Sequence, residues 1–143
     1  REFVPLSFVH QNTPLYEHGV VEGGASDAED ELMIAVSRLF FDNIDNIQSS
    51  WVKYGNAKGL KLLNCGANDF MGTILSEEIT TRAGGEHGEF RSFADYVSMI
   101  DAIGRVPVER STDYCTRRRI DPDDPPLGPK LGPKADGTPL LGE

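Results

Sequence analysis

Asn68, Asp69 and Thr73, with Glu77 and Glu78 just beyond, bring amide, hydroxyl and carboxylate groups into one short stretch. Two carboxylates at this spacing could work as an acid and base pair or share in a cation site. Acidic residues in the first turn of a helix are expected from the helix dipole alone, and residue types by themselves favour that reading. His10 follows an apolar run and could carry a proton or donate a hydrogen bond to a substrate, whereas His18 and His87 lie in glycine-rich stretches that read as solvated loops. Gln48 and Ser50 alternate with Ile47, Ser49 and Trp51, so an amide and a hydroxyl would share one face of a strand. The sequence contains no phosphate-binding glycine loop, no Cys or His cluster and no nucleophile beside a base. No individual catalytic residue and no metal ligand is therefore assigned.

The elements that must position these groups read as alternating strands and helices. Glu2 to Val9 is apolar on both faces, as in a covered parallel sheet, although Pro5 would leave a gap in its ladder. A polar loop, His10 to Pro14, follows it. Ser26-Asp27-Ala28-Glu29 is a capping box, and Leu32, Ala35, Val36, Leu39 and Phe40 continue at helical spacing as one apolar stripe expected to face the sheet. Ile47 to Val52 reads as a second strand, Ala57 to Leu63 as a short helix ending near Gly66, and Gly66 to Thr73 as a third strand. Glu77 to Ala83 then reads as a helix, Ser92 caps another through Asp95, and Val106 to Thr112 reads as a closing strand. Three strand ends would thus deliver His10 to Thr13, Gln48 to Trp51 and Asn68 to Thr73 to one rim, which is where barrels of parallel strands bind ligands. Polar groups in a buried ring can also merely satisfy one another, and spacing alone does not decide between the two.

Composition narrows the class. The 143 residues, 38% apolar, suffice for one core but fall well short of the about 250 of a complete (β/α)8 barrel. The chain starts at Arg1, inside the first strand, and reads as a piece of a longer protein. Residues 116–143 hold five Lys or Arg and five Asp or Glu, so the net charge of −9 rests on the first 115. So acidic a body repels phosphate backbones and anionic lipid, which argues against nucleic acid and membrane partners. Two isolated thiols, Cys65 and Cys115, fit a reducing, cytoplasmic compartment. Residues 116–143 also hold six of the nine prolines, which reads as a disordered tail after a domain over 1–115.

Several of these stretches together resemble the C-terminal region of FO synthase. They are Phe3 to Tyr16 with its Val9-His10-Gln11 run, Asn46-Ile47-Gln48-Ser49-Ser50-Trp51-Val52-Lys53, Gly66 to Thr73 with Glu77-Glu78, and Gly104-Arg105 with Val108-Glu109-Arg110 and Thr112. The likeness covers residues 2 to about 114. It implies an α/β fold made of the C-terminal strand and helix units of a radical S-adenosylmethionine barrel of the TIM type. It further implies transfer of the 4-hydroxybenzyl group of tyrosine to 5-amino-6-(D-ribitylamino)uracil, on the way to the deazaflavin of coenzyme F420. S-adenosyl-L-methionine and a [4Fe-4S] cluster are the implied cofactors, the cluster being held by a three-cysteine motif of an N-terminal half of the barrel. That half is the implied partner, and without it the chain is expected to be inactive. The substrate contacts then expected are His10, Gln48, Ser50, Asn68, Asp69, Thr73 and Glu77, with Glu77 toward a substrate ammonium. The resemblance implies a glycine where Met71 stands and a small residue where Cys65 stands. Radical enzymes of the futalosine route to menaquinone are similar over the same region, and a non-catalytic half-barrel binding module is the further alternative.

Overall fold

Ser26 opens the longest uninterrupted helix as its neighbours require: its Oγ accepts from the Glu29 N–H at 3.3 Å while Glu29 Oε2 accepts from the Ser26 N–H at 2.8 Å. The Ser26 hydrogen bonds also hold the Glu29 carboxyl below its ordinary range. The computed structural model describes residues 1–74, 78–85, 87, 91–121 and 124. They form two units, Arg1–Gly72 with Glu77–Glu89 and Thr73–Ser76 with Phe90–Glu143. The first contains β1 (Glu2–Phe3), α1 (Pro14–Glu17), α2 (Asp27–Phe40), β2 (Asn46–Ile47), α3 (Trp51–Cys65) and α4 (Glu78–Arg82). The second contains α5 (Phe93–Ala102), β3 (Val108–Arg110) and β4 (Arg117–Arg119). Helix and strand are mixed and the first sheet is parallel, consistent with an α/β class.

In the first unit, β1 and β2 pair parallel with Glu2 opposite Asn46 and Phe3 opposite Ile47, and an isolated parallel bridge joins Gln48 to Asp69. All three strands expected here are shorter than their patterns. Past Phe3 the backbone turns to other partners: the Tyr54 hydroxyl donates to the Pro5 carbonyl at 3.1 Å, and proline has no N–H to continue a ladder. The second strand stops before Trp51, because Trp51 and Val52 already belong to α3, for which extended Ser50 is the N-cap. The third shrinks to the single bridge at Asp69. Helix α3 starts six residues before the expected Ala57, running through a break at Gly55, where φ is +74° and the His87 ring would lie 2.9 Å from an added Cβ. Thr13 and Pro14 start the short α1 inside what reads as a loop.

The apolar stripe of α2 does not face the sheet. Leu39 is 89% exposed, and Leu32, Val36 and Phe40 are exposed with it, while Asp30, Ile34 and Ser37 are buried. Polar contacts from α2 set this rotation. Lys58 of α3 pairs with Asp27 at 2.7 Å and with buried Asp30 at 2.6 Å, and Lys61 pairs with Glu31 at 2.5 Å. The core beneath is Ile34, Ile47, Trp51 and Leu62, all fully buried, with Val52, Leu63, Ala67 and Phe70 around them.

Burial, helped by the Asp30 charge, pushes the Tyr54 hydroxyl up to about 12. Burial opposes the Lys58 charge, yet its hydrogen bonds to Asp27 and Asp30 outweigh that and hold the ammonium above its ordinary value. Both folded values exceed the unfolded ones, so both contributions are complete below about pH 10 and are lost as pH rises through the folded values. The Tyr54 share should be about 1–2 kcal/mol once solvent screening is allowed for. Denaturant midpoints measured from pH 8 upward should therefore fall on the alkaline side. Tyr54→Phe should lie lower at neutral pH by about 1 kcal/mol, for the lost bond to Pro5, yet fall less steeply. An unchanged alkaline slope would assign the loss to other groups.

In the second unit Ser92 and Asp95 form another capping box, whose hydrogen bonds hold the Asp95 carboxyl below its usual range. Strands β3 and β4 pair antiparallel, Glu109 opposite Arg118, with an ion pair of 2.9 Å between those two. The arginine run expected in a disordered tail from residue 116 is instead strand β4, held by Glu109 and by the Arg117 guanidinium over the Tyr114 ring at 6.0 Å. The closing strand narrows to Val108–Arg110 and joins β4 instead of a parallel sheet. Residues 125–143 of the expected tail lie outside the described residues.

Candidate functional site

The parallel pairing of the first unit gathers a row of polar side chains. Gln48 and Asp69 are both buried, and the Gln48 Nε2 amide donates to Asp69 Oδ1 at 3.3 Å and to Glu2 Oε2 at 3.4 Å. Glu2, Gln48 and Asp69 thus share one face of the parallel segments. Phe3 and Ile47, one residue out of phase, take the other, where the Phe3 ring lies 4.9 Å from that of Phe41. One amide therefore holds two carboxylates together, a local negative field suited to a cationic or hydroxyl-rich group.

Asp69 also fixes the backbone that follows it. Its Oδ1 accepts from the Met71 N–H at 2.8 Å, closing a turn across which Met71 sits at φ +67°. Few residues other than glycine take this left-handed conformation readily, so the Asp69 hydrogen bond is what holds Met71 in it. Ser50, fully buried, points its hydroxyl at Met71 Sδ, 3.4 Å away. Gln48, Ser50 and Asp69 are thus brought together around Met71. Trp51 closes the same corner, its indole N–H directed at the Gly72 carbonyl at 3.5 Å.

Asn68 is placed differently, because its side chain is engaged by the protein. Its Oδ1 accepts from the Ile47 N–H at 2.8 Å and from Arg38 Nη2 at 2.7 Å, and its amide donates to Asn46 Oδ1 at 3.3 Å. Arg38 continues the clamp onto the carbonyls of Gly66 at 2.8 Å and Asp45 at 3.0 Å. Gly66, at φ +131°, admits this approach, since an added Cβ would lie 3.0 Å from the Arg38 Cβ. Asn68 and Arg38 therefore hold the Asp69 segment in register.

His10 does not touch this cluster through its ring contacts, which are with Gly24, Tyr16 and Phe8. Its Nδ1 accepts from the Gly24 N–H at 2.9 Å, which places the ring proton on Nε2 in the neutral form and makes that nitrogen the available donor. Thr73 is exposed and falls in the second unit, and Glu77 lies outside the described residues. Sequence reasoning passed over Glu2, whose signal was an acidic side chain opening an apolar strand. It also passed over Arg38, a lone cation in the last turn of α2, and the role of Lys53, whose ammonium donates to Thr80 Oγ1.

Cys65 is half-buried and Cys115 exposed, and the two lie in different units. Among the described residues no three of His, Cys, Asp and Glu gather as a metal-ligand set, and no helix is long and apolar enough to cross a membrane.

The family described as the CofH/MqnC C-terminal region matches residues 2–122, a span that includes β4. A 5-amino-6-(D-ribitylamino)uracil–L-tyrosine 4-hydroxyphenyl transferase of Halobacterium salinarum is 78% identical over 142 residues, 99% of this chain and 31% of that protein. Transferases of the same name are 75% identical in Haloarcula marismortui, over 98% of this chain and 31% of theirs, and 48% identical in Methanococcus maripaludis strain C7, over 79% and 32%. The chain thus spans about a third of the length of the curated relatives it matches. No solved structure matches it.

Proposed function

The chain belongs to the family of the CofH/MqnC C-terminal region, and from that membership we propose that it is the substrate-side portion of a tyrosine 4-hydroxyphenyl transferase. The observation that carries this reading is the 78% identity to the Halobacterium salinarum transferase over nearly the whole chain. The reaction proposed is transfer of the 4-hydroxybenzyl group of tyrosine to 5-amino-6-(D-ribitylamino)uracil in deazaflavin synthesis. The parallel segments bearing Glu2, Gln48 and Asp69 are proposed to face the interior of a TIM-type barrel completed by the N-terminal part of the enzyme. Polar residues on one face and Phe3 and Ile47 on the other fit that arrangement.

In this reading His10 donates from Nε2–H to a substrate oxygen or ring nitrogen, and the Gln48 amide and Ser50 hydroxyl orient polar groups of the substrates. Asp69 supplies negative charge to an ammonium or accepts from ribityl hydroxyls. Asn68 serves the same site through the backbone it holds. Such a family implies S-adenosyl-L-methionine and a [4Fe-4S] cluster, which supply radical chemistry. Cluster ligation needs several thiolates converging, and Cys65 and Cys115 do not provide them, so the cluster is assigned to the N-terminal part and no step is derived through it.

A hybrid enzyme tests the reading: the N-terminal two thirds of the Halobacterium salinarum protein joined to residues 1–143 in place of its own matching region. After anaerobic reconstitution it should consume tyrosine in the presence of the aminouracil and form the coupled product, and the 143-residue chain by itself should form none. A hybrid that folds, carries its cluster and cleaves the cofactor yet yields no product would overturn it. Turnover of a futalosine-route substrate instead would assign the chain to that chemistry.

A further inference from the structure

Helix α2 is built inside out for a surface helix. Leu32, Met33, Val36, Leu39 and Phe40 are 62, 51, 50, 89 and 78% exposed. They cover one continuous arc of about 120° when laid out at 3.6 residues per turn. Asp30, Ile34 and Ser37 occupy the opposite, buried side, where Asp30 meets Lys58 of α3. Asp30 of α2 thus points inward to an ion pair beside Ile34, while five other large apolar side chains of the helix point away from it. An apolar patch of this kind, on the order of several hundred Å², marks a surface that another element covers.

Topology says which element. Helix α2 is the crossover between β1 and β2, which are parallel, and α3, which follows β2, packs on one flank of α2. Crossovers between parallel strands are right-handed, so successive units add in one rotational direction. A strand added parallel to β1 on the side away from β2 would bring its own crossover helix against the flank of α2 opposite α3. That flank is where the five apolar side chains lie. The relatives are about three times as long as the part matched, so their chains have ample length for such a unit.

We propose that the Leu32–Phe40 face of α2 is the docking surface for an amphipathic crossover helix from the N-terminal two thirds of the family's chain, apolar toward α2. This rests on the reading that the chain functions within the longer transferase. Leu39 is the position to test, being the most exposed apolar side chain of the arc.

The test places Leu39→Glu in the hybrid enzyme and in the 143-residue chain. In the hybrid the charge would be buried and the melting temperature should fall by at least about 5 °C. In the chain alone, where position 39 faces water, the melting temperature should hold within about 1 °C. A hybrid unaffected by Leu39→Glu overturns the proposal, as does a chain that is dimeric and becomes monomeric on the substitution. Should the hybrid variant fail to fold, a photo-crosslinking amino acid at position 39 decides, with the N-terminal part supplied as a separate polypeptide. A link to that part supports the proposal, and a link to a second copy, or none, refutes it. Failure of the functional reading stays distinguishable: a hybrid without product whose folding still depends on Leu39 keeps the docking surface and loses the reaction, and an active hybrid indifferent to Leu39 does the reverse.

Discussion

Trp51→Ala should lower the stability of the chain by about 3–5 kcal/mol. The ring is fully buried and is the largest side chain in that state, at the first position of α3 beside the Gly72 backbone. Its removal would leave a cavity bounded by the start of a helix and the segment carrying Asp69, neither of which is free to collapse: Ser49 donates from its N–H to the Asp69 carbonyl at 2.8 Å and from its hydroxyl to the Gly59 carbonyl at 3.0 Å. Urea unfolding followed by far-ultraviolet circular dichroism is the measurement, because Trp51 is the sole tryptophan and its fluorescence leaves with it. Trp51→Phe refills most of the volume and should cost about half as much. A loss under about 1 kcal/mol for the Ala variant would place the ring outside the core.

Asp69→Asn should cut product formation by the hybrid enzyme between about ten- and a hundredfold, the range expected for losing one hydrogen bond to a charged group. The isostere keeps an oxygen where Oδ1 accepts from the Met71 N–H and from the Gln48 amide, so the local turn survives the change. Charge is what it removes. Asp69→Ala, by contrast, removes the acceptor as well and releases Met71 from a conformation that only that hydrogen bond and its packing sustain, so it should lose both activity and stability. Comparing the two separates a contact with substrate from a structural role. Full turnover by the Asn variant, with the Ala variant inactive, would assign Asp69 to holding the loop alone.

Local signals in this sequence were sufficient wherever both partners lie within one turn. The capping boxes at Ser26 with Glu29 and Ser92 with Asp95 form as their spacing predicts, because donor and acceptor are three residues apart and no distant segment is needed to bring them together. The polar character of the parallel segments was equally legible, since Gln48 and Asp69 are read as strand positions and are bridged and buried in the fold. The family likeness rested on the same short runs and is matched by the comparisons over residues 2–122.

Tertiary structure alone decided which way those elements face and how far they extend. Periodicity finds the apolar arc of α2 but not its direction; that was set by Lys58, 28 residues or more from Asp27 and Asp30, and by Arg38 reaching Gly66 and Asn68. Strand length follows the same logic, because a backbone is a strand only while a neighbour accepts and donates. Residues 4 to 9 have the composition of a strand and no such neighbour among the described strands, whereas Arg117–Arg119 has the composition of a tail and finds one in Val108–Arg110. Asp69 could be named from its type, but its two acceptor bonds to Gln48 and Met71 exist because parallel pairing sets Gln48 beside it across 21 residues of chain. Hydrogen bonds and ion pairs between distant segments depend on relative position in space, and a pattern of residue types along one chain does not encode that position until the chain has folded.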